Sequence, residues 1–310
     1  MRRLIITLIA LGLLAGVFPG CAAEKQPPAY PRTLVDDLGR NVAIPEKPTR
    51  IISLYPSFTE TLFALGAGEQ VVGVTKYCDY PPEAMQKENV GGVTTPDIEK
   101  VVALNPDLVL VDARLQQELV HGLENFGLTV VALYPKNLEE IIENIRIIGK
   151  VTGHEREAQS LTADIEKRVK FITDRTKGLA DSERPRVFYL VWYDPLKTIG
   201  PGSLIDELLQ LAGGQNIAAD AREEVAAYSF ETVLQRNPQV IILAGGSMTS
   251  ITVDELKALE LWQVIDAVKR DRVYMIDTAL IAGARPRIVN GLEIITKCLH
   301  PELLGGTNEH

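Results

Sequence analysis

From Arg50 onward, short unbroken apolar runs alternate with stretches whose apolar residues recur every three or four positions. RIISL, Arg50 to Leu54, has the pattern of a buried strand. The following SFTETLFALGAG sets Leu62, Phe63 and Leu65 on one helical face, with Ser57 placed to cap the helix and Gly66 or Gly68 to end it. QVVGVT comes next, then TPDIEKVVALNPDLVLVD, read as a short helix closed before Pro106 and a strand from Leu108 to Val111. A helix around Gln116 to Asn125 and the strand LTVVALY complete this half. Four near-continuous apolar strands separated by helices predict a largely parallel sheet covered on both faces.

Asn137 to Lys177 reads as one long helix or two nearly continuous ones. Leu138, Ile141, Ile142, Ile145 and Ile148 keep helical register, and Gly149 and Gly153 mark a joint. After a polar turn the alternation restarts. RVFYLVWY is a strand and SLIDELLQLAGG a helix, SFETVLQRNPQVIILAGG a helix and a strand, LWQVIDAVKRDRVYMID a helix and the final strand, and IVNGLEIITKCL the last helix. The expected fold is α/β: two lobes with central, largely parallel sheets, joined by a long interlobe helix. The expected layout is a signal peptide over 1–20, a polar tether and lead-in over 21–48, an N-terminal lobe over 49–136, the connecting helix over 137–177, a C-terminal lobe over 178–302 and a polar tail over 303–310.

The two lobes echo each other. DIEKVVALNPDLVLV and SFETVLQRNPQVIILA each place a capping residue, Asp97 or Ser229, two positions before a glutamate, Glu99 or Glu231, and each closes on Asn-Pro, at Pro106 and Pro238. Corresponding helices would then carry a carboxylate in the first turn. Such a glutamate favours the helix by roughly 0.3–1 kcal/mol through the unsatisfied N–H groups there, so capping alone is one reading and a paired surface role is the other.

Composition narrows the function. The chain has 32 basic and 41 acidic residues, a formal charge of −9, with no basic cluster, which argues against a nucleic-acid partner. Its beginning, MRRLIITLIALGLLAGVFPGC, has the layout of an export signal, and the small residues before Cys21 resemble a lipoprotein processing site at which that cysteine is acylated. A cleaved secretory protein and a retained signal anchor are the alternatives. No later segment approaches the roughly 18 continuous apolar residues of a membrane span, so the body is expected outside the membrane on a lipid leash. Cys78 and Cys298 are far apart in sequence, and a chain of this length does not need a disulfide to fold.

Traces of catalysis are sparse. His121, His154, His300 and His310 are scattered without metal-ligand spacing, and no nucleophile elbow, C-x-x-C, H-E-x-x-H or phosphate-cradling glycine motif is present. No catalytic residue, metal or cofactor is assigned, and an enzyme with its site between the lobes is kept only as the alternative of another class. Large aromatic side chains instead gather at strand ends: Tyr77 and Tyr80 in the loop YCDYPPEA, Trp192 and Tyr193 at the end of RVFYLVWY. In open α/β sheets the cleft lies outside the carboxyl ends of the strands. These residues are candidate walls for a large, partly planar ligand with an apolar body, the alternative for each being core or lobe packing. Arg285 and Arg287, between the last strand and the last helix, would reach an anionic ligand rim or pair with nearby carboxylates.

RIISLYPSFTETLFALGAGEQVVGVTKYCDYPPEA, DIEKVVALNPDLVLV, the central helical region, PGSLIDELLQLAGGQNIA, SFETVLQRNPQVII and GLEIITKCLHPE together resemble the substrate-binding proteins of the ABC importers that take up vitamin B12, haem and iron–siderophore complexes. The resemblance covers nearly the whole mature chain. It implies two Rossmann-like lobes of the helical-backbone metal-receptor type, a ligand held between them with modest closure, and a location on the extracytoplasmic or periplasmic face of the membrane. In that family a surface glutamate on each lobe engages arginines of the transmembrane permease subunits; the matching positions are Glu99 and Glu231. The KYCDYPP loop is nearest to the vitamin B12 branch, which implies Tyr77 packed on a corrin. Val93 and Val225 stand where that branch has tryptophans. Cobalamin is the expected ligand, with a ferric siderophore or haem as alternatives, and the protein is expected to act as a monomer.

Overall fold

The computed structural model describes residues 30–246 and 249–304. Cys21, the expected signal peptide and the end of the expected polar tail lie outside the described residues. The first described elements form an antiparallel hairpin, β1 (Arg32–Val35) and β2 (Asn41–Ile44). It is held to the first lobe through Asp36, which is buried and accepts hydrogen bonds from the backbone N–H groups of Leu38, Arg40 and Ala132.

The first lobe runs β3 (Ile51–Ser53), α1 (Pro56–Ala64), β4 (Val71–Val74), β5 (Glu88–Asn89), α2 (Ile98–Ala103), β6 (Leu108–Asp112), α3 (Gln117–Asn125) and β7 (Val130–Leu133). Its five strands are all parallel, in the order β5-β4-β3-β6-β7. Period-two alternation explains why both faces are covered. Leu108 and Leu110 pack towards α1 and the next helix, α4 (Leu138–Thr152), whereas Val109 and Val111 pack towards α2 and α3.

The expected joint falls at Gly153, where the backbone turns left-handed (φ 75°) and α4 ends. Gly149 stays inside α4 and serves another purpose. A Cβ there would stand 2.4 Å from the Cβ of Ala158, so its missing side chain lets α4 press against α5 (Glu155–Thr176). The two helices are not one rod: Arg146 reaches back across the turn to Glu166 at 2.5 Å. α5 makes the crossover, and Arg168 fixes it to the second lobe through Glu293 and Asn290.

The second lobe comprises β8 (Arg186–Trp192), β9 (Lys197–Ile199), α6 (Leu204–Leu211), β10 (Gln215–Asn216), β11 (Val225–Ala227), α7 (Phe230–Arg236), β12 (Val240–Gly245), α8 (Val253–Ala258), α9 (Asp266–Lys269), β13 (Val273–Asp277), α10 (Thr278–Ile281) and α11 (Ile288–Leu299). β8, β12 and β13 are parallel, as expected; β9 and β11 add an antiparallel extension that the apolar pattern did not suggest, because both are only three residues long. The helix expected from LWQVIDAVKRD is instead a 3₁₀ turn (Glu260–Val264) and the single turn α9. A single apolar cluster continues from Leu62 and Ile141 of the first lobe through Ile165 and Ile172 of α5 to Leu208, Leu292 and Ile295 of the second.

The internal echo is structural. Asp97 and Ser229 cap α2 and α7 by accepting from the N–H groups of Lys100 and Thr232. Just past each helix Asn105 (φ 46°) and Asn237 (φ 39°) take the left-handed conformation that ends a helix, one residue before proline. At the start of the adjoining strand Arg50 donates to the carbonyls of Leu104 and Asn105, and Arg186 to those of Arg236 and Asn237. Among the described residues no helix is long and apolar enough to cross a membrane.

Candidate functional site

The stiff loop YCDYPPEA is anchored by Cys78 and Ala84, both buried, and exposes its two tyrosines. Cys78 is buried, with its sulfur 3.1 Å from the hydroxyl of Thr59 and 3.3 Å from that of Thr75. It and Cys298 are both free, so no disulfide joins them. Burial pushes the Cys298 thiol up to about 11. On one side of Cys78, Tyr77 stands out of the surface, 55% exposed, with the Lys76 ammonium 5.1 Å from its ring centre. On the other side Tyr80 lies under the guanidinium of Arg287, 3.6 Å from the ring centre.

Arg287 is paired with a carboxylate of the other lobe. Its Nε and Nη2 donate to the two carboxylate oxygens of Glu60, at 2.8 and 2.9 Å, and those bonds raise its already high pKa further. Glu60 is only 2% exposed and belongs to α1 of the first lobe, whereas Arg287 precedes α11 of the second. The pair therefore ties the lobes together, and Arg285 approaches the same carboxylate at 3.7 Å. Of the two readings of these arginines, pairing with a nearby carboxylate holds for Arg287.

Beside this tie the two lobes line an open cavity of about 580 Å³. Tyr55, Ser57, Tyr77, Val93 and Leu115 form its first-lobe wall, and Thr278, Ala282, Gly283 and Arg285 the opposite one. Gln116, buried, shapes the first wall: its side chain accepts from the N–H of Asp112 and donates to the carbonyls of Leu54 and Val93, binding the ends of β3 and β6 to the loop that carries Val93. Around Tyr55 and Gly283 the space continues into a second cavity of about 250 Å³, whose lining is charged: Asp112, Arg114, Lys136 and Glu224. Burial holds the Asp112 carboxyl above its ordinary range; burial, with Asp112 adding, does the same for the Tyr55 phenol.

Trp192 and Tyr193 are placed differently from the expectation. Neither lines these two cavities. The register shift between Leu190 and Trp192 turns the strand end into the β8–β9 hairpin. Trp192, 37% exposed, donates its indole N–H to the Asp194 carbonyl at 2.7 Å, and Tyr193 packs towards Trp262 with ring centres 6.5 Å apart. Tyr193 borders another pocket, of about 370 Å³, with Phe230, Leu261 and Trp262. Lobe packing is the reading that fits Tyr193. Tyr55 and Glu60 were missed. Tyr55 comes two residues after β3, so the strand-end logic that selected Tyr77 applied equally to it; Glu60 was visible as the one charge on an otherwise uncharged helix.

Glu99 and Glu231 are both exposed, each the second residue of its helix. The backbone N–H of Glu231 and the Ser229 hydroxyl hold its carboxyl below the usual range. Among the described residues no group of three or more His, Cys, Asp or Glu is arranged to hold a metal ion.

Comparison with known proteins adds to this geometry. The sequence profile of the periplasmic binding protein family matches residues 51–280. The chain is 31% identical to the uncharacterised ABC transporter substrate-binding lipoprotein YvrC of Bacillus subtilis, over 94% of this chain and 96% of that protein. Among solved structures, the periplasmic vitamin B12 binding protein BtuF of Vibrio cholerae is similar with a TM-score of 0.69 and 30% identity, covering 82% of this chain and 97% of its own. The periplasmic haem-binding protein RhuT of Roseiflexus is similar to the same degree, with a TM-score of 0.71 and 27% identity over 82% and 98%.

Proposed function

The chain belongs to the periplasmic binding protein family, and from that premise we propose that it captures cobalamin between its lobes and hands it to the permease of an ABC importer. The family is one of extracytoplasmic binding proteins rather than catalysts, and its members serve a cognate permease. Cys21 is the residue assigned to the lipid anchor, and Glu99 and Glu231 are assigned to the two permease subunits.

The observation that carries the ligand reading is Tyr77. It is an exposed aromatic, set on a pre-organised loop, on the apolar wall of a cavity that both lobes line. Proline at 81 and 82 restricts the loop backbone, so presenting the ring costs little ordering entropy on binding. A corrin offers a broad apolar face for such a ring, and the similarity to vitamin B12 binding proteins supports that choice. Tyr80 and Arg287 act from behind, as part of the interlobe tie. Haem is the second reading, favoured by the equal likeness to the haem-binding structure; a ferric chelate would be drawn to the same cleft.

Tyr77→Ala is expected to weaken cobalamin binding by about 1–3 kcal/mol, the usual cost of losing an aromatic anchor. Calorimetric titration measures this, with thermal melting as the control for folding. Unchanged affinity at unchanged melting temperature would reduce the loop to a structural turn.

A further inference from the structure

The 370 Å³ pocket of the second lobe shares no lining residue with the two interlobe cavities. Tyr193, Leu196, Phe230, Leu259, Leu261 and Trp262 form its apolar lining. Among the described residues its charged lining is acidic: Asp194 and Glu260, both exposed.

The base of this pocket is packed and its edge is bare. Trp262 is 3% exposed, with its ring centre 5.2 Å from that of Phe230 and 6.2 Å from that of Phe188. Leu261 beside it is 68% exposed, and Val264 is 50% exposed. Both belong to the 3₁₀ turn Glu260–Val264, in which residues three apart eclipse, so the two side chains stand on one side of the turn. Single exposed apolar residues are ordinary, but an apolar pocket edged by two of them makes the contiguous surface that marks a binding face.

This face adjoins the residue assigned to the permease. Phe230, which lines the pocket, is the first residue of α7, and the next is the exposed Glu231. Together with Asp194 and Glu260, Glu231 gives the surroundings of the pocket three exposed carboxylates, which complement the basic residues expected on the permease. The first lobe is built differently at the matching place. Ile98 precedes Glu99 where Phe230 precedes Glu231, and it packs against the first-lobe core. β3 leads into α1, whereas β8 leads into the hairpin that supplies Tyr193 and Leu196.

We infer that the pocket is a socket for the permease, in which an apolar side chain flanked by basic residues, on the subunit that meets Glu231, seats against Leu261 and Phe230. This rests on the reading of Glu231 as a docking residue. It gives the second lobe's contact a dry apolar centre beside its charged rim, the arrangement in which a few residues dominate binding. The two lobes then dock unequally.

The affinity of the purified protein for its cognate permease complex in lipid nanodiscs, measured by biolayer interferometry, tests the socket. Leu261→Ser removes the apolar group without adding charge, and Leu261→Lys adds a charge like that of the partner. Leu261→Ser should raise the dissociation constant for the permease roughly 10-fold and Leu261→Lys up to about 100-fold. Melting temperature and ligand affinity should stay at wild-type values, since the side chain is exposed and lies outside the cleft. Weakening by Leu261→Lys alone would reduce the contact to charge and overturn the apolar socket. Wild-type permease affinity in both Leu261 variants, with weakening by Glu231→Lys, would overturn the socket and leave the docking reading intact. No change in any of the three would remove both. Loss of ligand affinity in Leu261→Ser would assign the pocket to the ligand, and a wild type that sediments as a dimer split by Leu261→Ser would assign it to contact between copies; either result overturns the socket.

Discussion

Replacing Glu99 and Glu231 together by lysine is expected to reduce uptake to the level of cells lacking the protein, while the affinity of the purified protein for its ligand stays within about twofold of wild type. Both carboxylates are exposed, and both sit one residue inside helices whose caps are Asp97 and Ser229 rather than the glutamates themselves. Losing a favourable first-turn charge costs only about 0.3–1 kcal/mol per helix, too little to unfold two lobes that share a continuous core. The lysines would instead present like charge to the basic residues expected on the permease, which penalises association. Single reversals should give partial losses, since each lobe would dock on its own subunit. Transport assays in whole cells, paired with calorimetry on the purified variants, separate the possibilities. Normal uptake by the double variant would return both residues to a capping role, and a parallel loss of affinity would assign them to the ligand.

Glu60→Ala is expected to destabilise the protein by about 2–4 kcal/mol. Removing one partner of a buried ion pair leaves the other charge uncompensated, and here two guanidiniums depend on the same carboxylate. The side chains of Arg285 and Arg287 keep 18% and 23% of their surface in contact with solvent, so they partly rehydrate, which brings the loss about 1 kcal/mol below the usual 3–5 kcal/mol. Because the pair spans both lobes, the loss should also be felt at the cleft. Guanidinium denaturation of Glu60→Ala, Arg287→Leu and the double variant forms a cycle in which the second substitution costs much less than the first. Simple additivity, or a loss below about 0.5 kcal/mol for Glu60→Ala, would show that the pair is an incidental contact.

The parts of this architecture that the sequence revealed are those governed by local rules. Val109 and Val111 against Leu108 and Leu110 encode a doubly covered strand by alternation alone. The two Asn-Pro stops encode helix ends, because asparagine tolerates the left-handed turn and proline cannot continue the helix. Tyr77 was legible for the same reason: it follows a strand and precedes two prolines. What was hidden depended on distant partners. Glu60 and Arg287 are separated by 227 positions, and no periodicity links them. Ser57 looked like a cap because serine before an apolar run usually is one; Pro56 starts the helix two residues earlier, with Tyr55 at the cap position, and leaves the Ser57 hydroxyl unspent. Trp192 and Tyr193 were assigned to the cleft on strand-end position, and the hairpin to β9 turns them elsewhere.

Cobalamin binding in the interlobe cavity is the proposed function. It is tested most directly by titrating the purified ligand-free protein separately with cobalamin, haem and a panel of ferric siderophores, following tryptophan fluorescence and heat. Saturable cobalamin binding at or below roughly micromolar concentration, abolished or strongly weakened in Tyr77→Ala, is the predicted result. No cobalamin binding at roughly millimolar concentration, with tight binding of a ferric chelate or haem, would contradict it.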